Sequence, residues 1–278
     1  MDGYQASTDG LRGALGGLIR SMWDALTSWQ QSDVDTFARD ASSAVASAQQ
    51  QMADLTAGFL SEYRSLALGA PQRSVGINPR RYTALRVGVD PVDVYRRPGE
   101  TLRWKQSKGK TLEEAVDLAG LRAENLATTD LQLAKRNVSA DILKADSKAI
   151  AWRRQLEGSY SCGLCIVAST NTYSKDSLLP IHHGCDCSVQ PIYDEDALAE
   201  HEAAADKTLA GAHEVIRDTF GTASADARTA GDYRDLIIVH NNSELGHVLG
   251  VRGQHWVSPG QLPKLTHHRE SIQDALNR

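Results

Sequence analysis

The only four cysteines in this chain fall between positions 162 and 187. They read Cys162-Gly-Leu-Cys165, then a polar stretch, then Pro180-Ile-His-His-Gly-Cys185-Asp-Cys187. Thiols used only for packing would be scattered along the chain. A Cys-x-x-Cys pair facing His-x-x-Cys-x-Cys is instead a spacing that closes a tetrahedron around zinc. Cys162 and Cys165, three apart, can wrap one face of an ion through a tight turn in which Gly163 supplies backbone freedom. Cys185 and Cys187, two apart, point to the same side of an extended segment.

With His182 there are five donors for four positions. The four thiolates are favoured, with His182 either replacing Cys187 or donating a hydrogen bond from outside the ligand set. The polar run Ser169-Thr-Asn-Thr-Tyr-Ser-Lys-Asp-Ser177 has little to bury. A structural zinc can contribute about 10–16 kcal/mol to folding such a unit, against about 2–4 for one disulfide. Two disulfides or reduced, packed cysteines are the competing readings. No basic-then-apolar leader opens the sequence, so an intracellular setting with reduced thiols is expected, which favours metal.

A catalytic zinc is less consistent with these residues. Zinc deaminases place His-x-Glu before Pro-Cys-x-x-Cys, with the glutamate moving the proton. Here the Cys-x-x-Cys comes first and no carboxylate holds that place. Four or five protein donors also leave no open position for water, so the site reads as structural.

Aromatic residues are only 6% of the chain and apolar residues 41%, a mix that suits helices packed through small side chains. Leu11, Leu15, Leu18, Met22, Leu26 and Trp29, then Val34, Phe37, Ala41, Val45, Ala48, Met52, Leu55 and Phe59, recur at helical spacing. They predict a helical hairpin arm over 1–70. Residues 71–110 carry eight prolines and glycines, with ten basic and three acidic side chains over 73–110, and read as a basic, irregular linker. Arg80, Arg81, Arg96, Arg97, Arg103 and Lys105 are its candidate contacts to DNA or to an acidic partner. Thr111-Leu-Glu-Glu114 has the form of a capping box. The long helix it opens is expected to reach Gly158, with a break near Thr128–Asp130. Asp194 should cap an acidic helix over about 195–220, and Asp235–Val239 and Val248–Val251 read as short strands. Gly253–Pro263 reads as a loop and Ser271–Asn277 as a short helix. The fold class expected is mainly α with a small zinc-stapled α+β element. The domain holding it spans 111–265, with the Cys/His loop at 160–191 and a tail at 266–278. No run of apolar residues is long enough to span a bilayer.

Beyond spacing, Cys162-Gly-Leu-Cys165-Ile-Val-Ala-Ser169, Leu178-Leu-Pro-Ile-His182 and Cys185-Asp-Cys187-Ser-Val-Gln-Pro191 together resemble the signature of MuF-like minor capsid proteins of tailed bacteriophages, especially those of actinobacterial hosts. Val94-Tyr-Arg-Arg-Pro98, Ala127-Thr-Thr-Asp-Leu-Gln-Leu-Ala134, Trp152-Arg-Arg154 and His240-Asn-Asn-Ser-Glu-Leu-Gly246 extend the likeness over about residues 80–260. Members of that group usually have proline after the motif histidine. This chain has His183, which leaves open which imidazole faces the metal. The resemblance implies a low-copy structural protein of the phage head, assembled in the host cytoplasm and carried in the head interior. Its implied partners are the portal protein, other head proteins and the genomic DNA, with no membrane and no small-molecule substrate.

Relatives of this type are often labelled capsid maturation proteases, so an enzyme is the second expectation. Its available parts are Asp235, His240 and Ser243, with no Gly-x-Ser-x-Gly elbow. A third class, a DNA-reading zinc module, would interleave basic and aromatic residues with the cysteines. Only Lys175 and Tyr173 lie there.

Overall fold

Alanine at every fourth position of one long helix, from Ala115 to Ala127, lets its neighbours pack closely against it. The computed structural model describes residues 2–157, 161–182, 184–220 and 233–252. Its first half is four helices: α1 (Asp2–Asp24), α2 (Gln31–Ala67), α3 (Pro91–Ser107) and α4 (Leu112–Ala145). Ala115, Ala119, Ala123 and Ala127 form a fully buried stripe on α4 facing Ala38, Ala41, Ala48 and Ala53 of α2 within one core. Leu15, Ile19 and Trp23 of α1 and Val94, Tyr95 and Leu102 of α3 complete that core.

The expected arm is therefore no arm, because α1 and α2 bury their apolar faces against α3 and α4. The α1 face is also rotated from the expected one. Leu18 is 50% exposed, whereas Ile19 and Trp23 are fully buried, and the Trp23 indole donates to the Val116 carbonyl at 3.0 Å.

The segment expected to be irregular holds α3. Pro91 stands at the first helical turn, where its fixed φ favours a helix and no amide is wanted, and the Asp90 side chain caps the amide of Val92. Gly99 permits close approach, since a Cβ there would stand 2.7 Å from Val34 Cγ1. Prolines and glycines that read as punctuation are thus a helix start and a packing notch.

Helix α4 opens with the full capping box at Thr111 and Glu114 and runs unbroken through Thr128–Asp130. It ends at Ala145, short of the expected Gly158. Asp146 takes an extended backbone (φ −82°, ψ 106°), and its carboxylate accepts from the Lys148 amide and the Tyr193 hydroxyl and forms an ion pair with Arg64.

Where helix was expected, Ala151–Gln155 is strand β1. It is the centre of an antiparallel sheet with β2 (Thr172–Tyr173) and β3 (Ser188–Ile192), in the order β2-β1-β3. Trp152 pairs with Tyr173 on one side and Pro191 on the other. Helix α5 (Gly163–Ser169) joins β1 to β2. The acidic helix starts at Asp194 as expected but divides into α6 (Glu195–Gly211) and α7 (His213–Phe220). The two strands near the end are present as a hairpin, β4 (Ile237–Asn242) and β5 (Gly246–Val251). No helix among the described residues is long and apolar enough to cross a membrane. The loop expected at Gly253–Pro263, the helix at Ser271–Asn277, the 266–278 tail and His183 lie outside the described residues.

Candidate metal centre

Helix α5 and the loop before β3 bring the predicted donors together. Cys162 is the N-cap of α5, with its Sγ accepting the Cys165 amide at 3.5 Å. A sulfur at that position faces the positive end of the helix, which favours thiolate. Gly163 is needed for a reason other than the expected one. A Cβ there would stand 2.5 Å from Thr219 Oγ1 and 2.8 Å from the Val215 carbonyl, both on α7. It is a contact glycine, not a turn glycine.

On the opposite wall, the Cys185 amide donates to the His182 carbonyl at 3.1 Å. Gly184 between them has φ +77°, a left-handed conformation that suits glycine. The Gly184 carbonyl accepts from Arg12 of α1 at 3.0 Å.

Two groups of donors result, Cys162/Cys165/His182 and Cys165/Cys185/Cys187, with the ligand atoms of each within 4.8 Å of one another. Cys165 belongs to both. His182 Nε2 lies 2.9 Å from Cys165 Sγ and 3.3 Å from Cys162 Sγ, and Cys165 Sγ lies 3.9 Å from Cys185 Sγ. A tetrahedral thiolate site with zinc–sulfur bonds of about 2.3 Å has edges of about 3.8 Å, so the sulfur separation matches one edge. All five predicted donors are brought together, all four cysteines are free thiols, and among the described residues no carboxylate joins either group. Cys/His groups of this kind can hold a metal ion.

Electrostatics among the donors themselves separate the thiols. The hydrogen bond from Cys165, aided by His182, pulls Cys162 down to about 4. Hydrogen bonds from Cys165 and Cys187 hold Cys185 well below the usual thiol range. Hydrogen bonding to Cys162 and Cys185 pushes Cys165 upward. The Cys165 hydrogen bond favours a Cys187 thiolate, but Cys185 and burial outweigh it and raise Cys187 to about 12. Burial disfavours the His182 imidazolium, yet hydrogen bonds to Cys162 and Cys185 raise it to about 10. A metal entering here must displace protons.

Several residues around the centre were not singled out from the sequence. Arg154, 2% exposed on β1, directs Nη1 at Cys185 Sγ (3.4 Å) and Cys165 Sγ (3.6 Å), and its other terminal nitrogen donates to the Pro180 carbonyl. From α4, Gln132 donates to the Cys187 carbonyl at 2.8 Å and Lys135 to the Asp186 carbonyl at 2.8 Å. Lys135 also pairs with Glu157 at 2.5 Å, both nearly fully buried. The signal for them was polar residues at buried positions of a helix face. It was masked because Lys and Arg on a helix are ordinarily solvated.

The basic residues divide. Arg97 forks onto Glu244 of the β4–β5 turn at 2.7 and 2.9 Å, and Arg96 pairs with Asp35 and Asp93, so these two serve the fold. Arg80 and Arg81 are exposed on a short turn at Pro79–Tyr82, and Arg103 is exposed near the end of α3. There Lys105 lies 4.7 Å over the ring of Trp104, itself 39% exposed. Asp235, His240 and Ser243 lie in a short helical turn, in β4 and in the hairpin turn, and no hydrogen bond links them among the described residues.

Comparison with family models, with curated proteins and with solved structures finds no match for this chain.

Proposed function

We propose that this chain is a minor structural protein of a tailed-phage head, a helical scaffold whose Cys/His loop is fixed by one zinc ion. On this reading it assembles in the host cytoplasm with the portal or procapsid and stays in the head interior, assisting assembly and DNA packaging or delivery. The observation that carries the structural role is the donor cluster itself. Five thiol and imidazole donors fall in two groups that share Cys165, with no carboxylate in either among the described residues, and α1 and α4 grip the same loop through Arg12, Gln132 and Lys135. Such a centre holds chain segments together and offers water no activated place. Soft thiolate and imidazole donors favour zinc over magnesium or calcium.

The virion assignment rests on the sequence resemblance and on the chemistry of two surfaces. Arg80 and Arg81 on one, and Arg103, Lys105 and Trp104 on the other, combine positive charge with an exposed ring, as contacts to nucleic acid or an acidic lumen do.

The deciding experiment is co-expression of the full chain with the portal and major capsid proteins of its phage. The scaffold reading expects co-purification with the portal or procapsid and an uncleaved capsid protein. Specific cleavage of the capsid protein that disappears in Ser243→Ala would replace it with the protease reading. Metal analysis of the purified chain expects one zinc per chain.

A further inference from the structure

Five donors exceed what one tetrahedral ion uses, and a buried charge indicates which one is left out. Arg154 cannot lose its proton within a protein, and a buried cation needs a nearby negative charge. Among the described residues its hydrogen-bond partners are two sulfurs and one carbonyl, with no carboxylate, and its Nε has none. The centre beside it must therefore supply the compensating charge. Zinc with three thiolates and one imidazole carries one negative charge, which the guanidinium neutralises. Zinc with four thiolates carries two, so in a site where three of the four sulfurs are buried it would need a second cation beside Arg154, with His182 held outside the ligand set as an imidazolium.

Contacts around the imidazole select the same set. His182 Nε2 lies 3.3 Å from the Cys162 sulfur and 2.9 Å from the Cys165 sulfur, and Cys165 in turn touches the Cys185 sulfur at 3.9 Å. Cys185 and Cys187 both group with Cys165, but it is the Cys185 sulfur that touches Cys165 Sγ and, at 3.4 Å, Arg154 Nη1. The backbone carbonyl of Cys187 is engaged by Gln132 and the next residue enters β3, which fixes its role as the exit of the loop.

Building on the zinc reading above, we infer that the ligands are Cys162, Cys165, His182 and Cys185. Cys187 stays a buried thiol, and Arg154 is the positioning residue that balances the centre through its contacts to Cys165 and Cys185. This reverses the four-thiolate preference that spacing suggests.

The test uses the full-length chain loaded with cadmium or zinc. The cadmium NMR signal of the unmutated protein should fall in the range of three sulfurs and one nitrogen, and a four-sulfur signal overturns the ligand set while leaving a bound metal in place. Cys187→Ser should keep one equivalent of zinc with affinity within about threefold, whereas Cys185→Ser should lose it. A tenfold or greater loss in Cys187→Ser overturns the proposal. Arg154→Met should weaken zinc binding about 10–100-fold, the range seen when a partner of a metal ligand is removed, and Arg154→Lys should recover most of that. Unchanged affinity in a folded Arg154→Met chain sinks the charge-balance role. If Arg154→Met does not fold, Arg154→Lys still decides, since a retained charge must retain the metal. No metal in the unmutated chain overturns this inference together with the zinc reading.

Discussion

Gly163 shows how a single hydrogen atom can decide a packing distance. Alanine there would drive a methyl group against the Val215 carbonyl and Thr219 Oγ1, so Gly163→Ala should cost about 1–3 kcal/mol by overpacking. Thermal unfolding of the metal-loaded chain measures it, and an unchanged midpoint would mean that α5 and α7 lie farther apart. At Glu244 the prediction concerns pH. The fork from Arg97 holds its carboxyl below the ordinary carboxylate value, so the folded state binds that proton more weakly than the unfolded chain. Its stabilisation is full above about pH 4.3 and fades as pH falls through the lowered value. Glu244→Gln should remove about 1 kcal/mol at neutral pH, allowing for partial solvent exposure. It should also flatten the acid limb of the stability curve, which denaturant titrations at stepped pH would read. At this scale the sequence was legible where chemistry is rare. The cysteines and His182 announced themselves by crowding, while Arg154 and Lys135 did not, because arginine and lysine are common and their burial depends on neighbours far along the chain.

Helix ends follow the same division between local and distant causes. Thr111 with Glu114 and Asp194 with Ala197 were readable as caps because a cap is satisfied within three residues. Thr111→Ala should therefore lower stability by about 1 kcal/mol, seen as a shift of the denaturant midpoint at constant slope. The same variant should leave zinc stoichiometry unchanged, since the cap lies at the far end of α4 from Gln132 and Lys135. Strand β1 was not readable. Ala-Trp-Arg-Arg-Gln has no local reason to leave the helix, and its extension is fixed by pairing with Tyr173 and with Ser188–Ile192. Helix α3 was missed from the opposite error, since Pro91, Pro98 and Gly99 weigh against a helix by propensity. Two of them are accommodated by position: Pro91 sits in the first turn, and Gly99 faces Val34.

Between the helical core and the sheet, buried polar contacts run beside the apolar cluster of Leu133 and Leu143 with Trp152 and Val189, and this seam is expected to govern how the whole molecule unfolds. Lys135 of α4 reaches Glu157 just after β1 and the Asp186 carbonyl between Cys185 and Cys187, while the Ser188 hydroxyl donates to the same Glu157. Arg136, one residue on, donates to the Leu245 and His247 carbonyls of the β4–β5 hairpin. One turn of α4 therefore holds the metal loop, the sheet and the hairpin together. A nearly dry ion pair costs much to break from one side, because the partner left behind is an uncompensated charge. Lys135→Met should destabilise the chain by about 3–5 kcal/mol, and Glu157→Gln should cost less because it can still accept from Ser188. The double variant Lys135→Met/Glu157→Gln should be less damaging than the two losses added, giving a coupling of about 1–3 kcal/mol in a double-mutant cycle. The cycle also reports on architecture. If the seam joins bundle and metal loop into one cooperative unit, chelating zinc from the unmutated chain should lower one unfolding transition. Chelation in Lys135→Met should instead split it, with the bundle helices melting at higher temperature than the loop. Additive losses, together with two transitions already present in the zinc-loaded unmutated chain, would show that the bundle and the metal loop unfold independently and that Lys135 only decorates their contact.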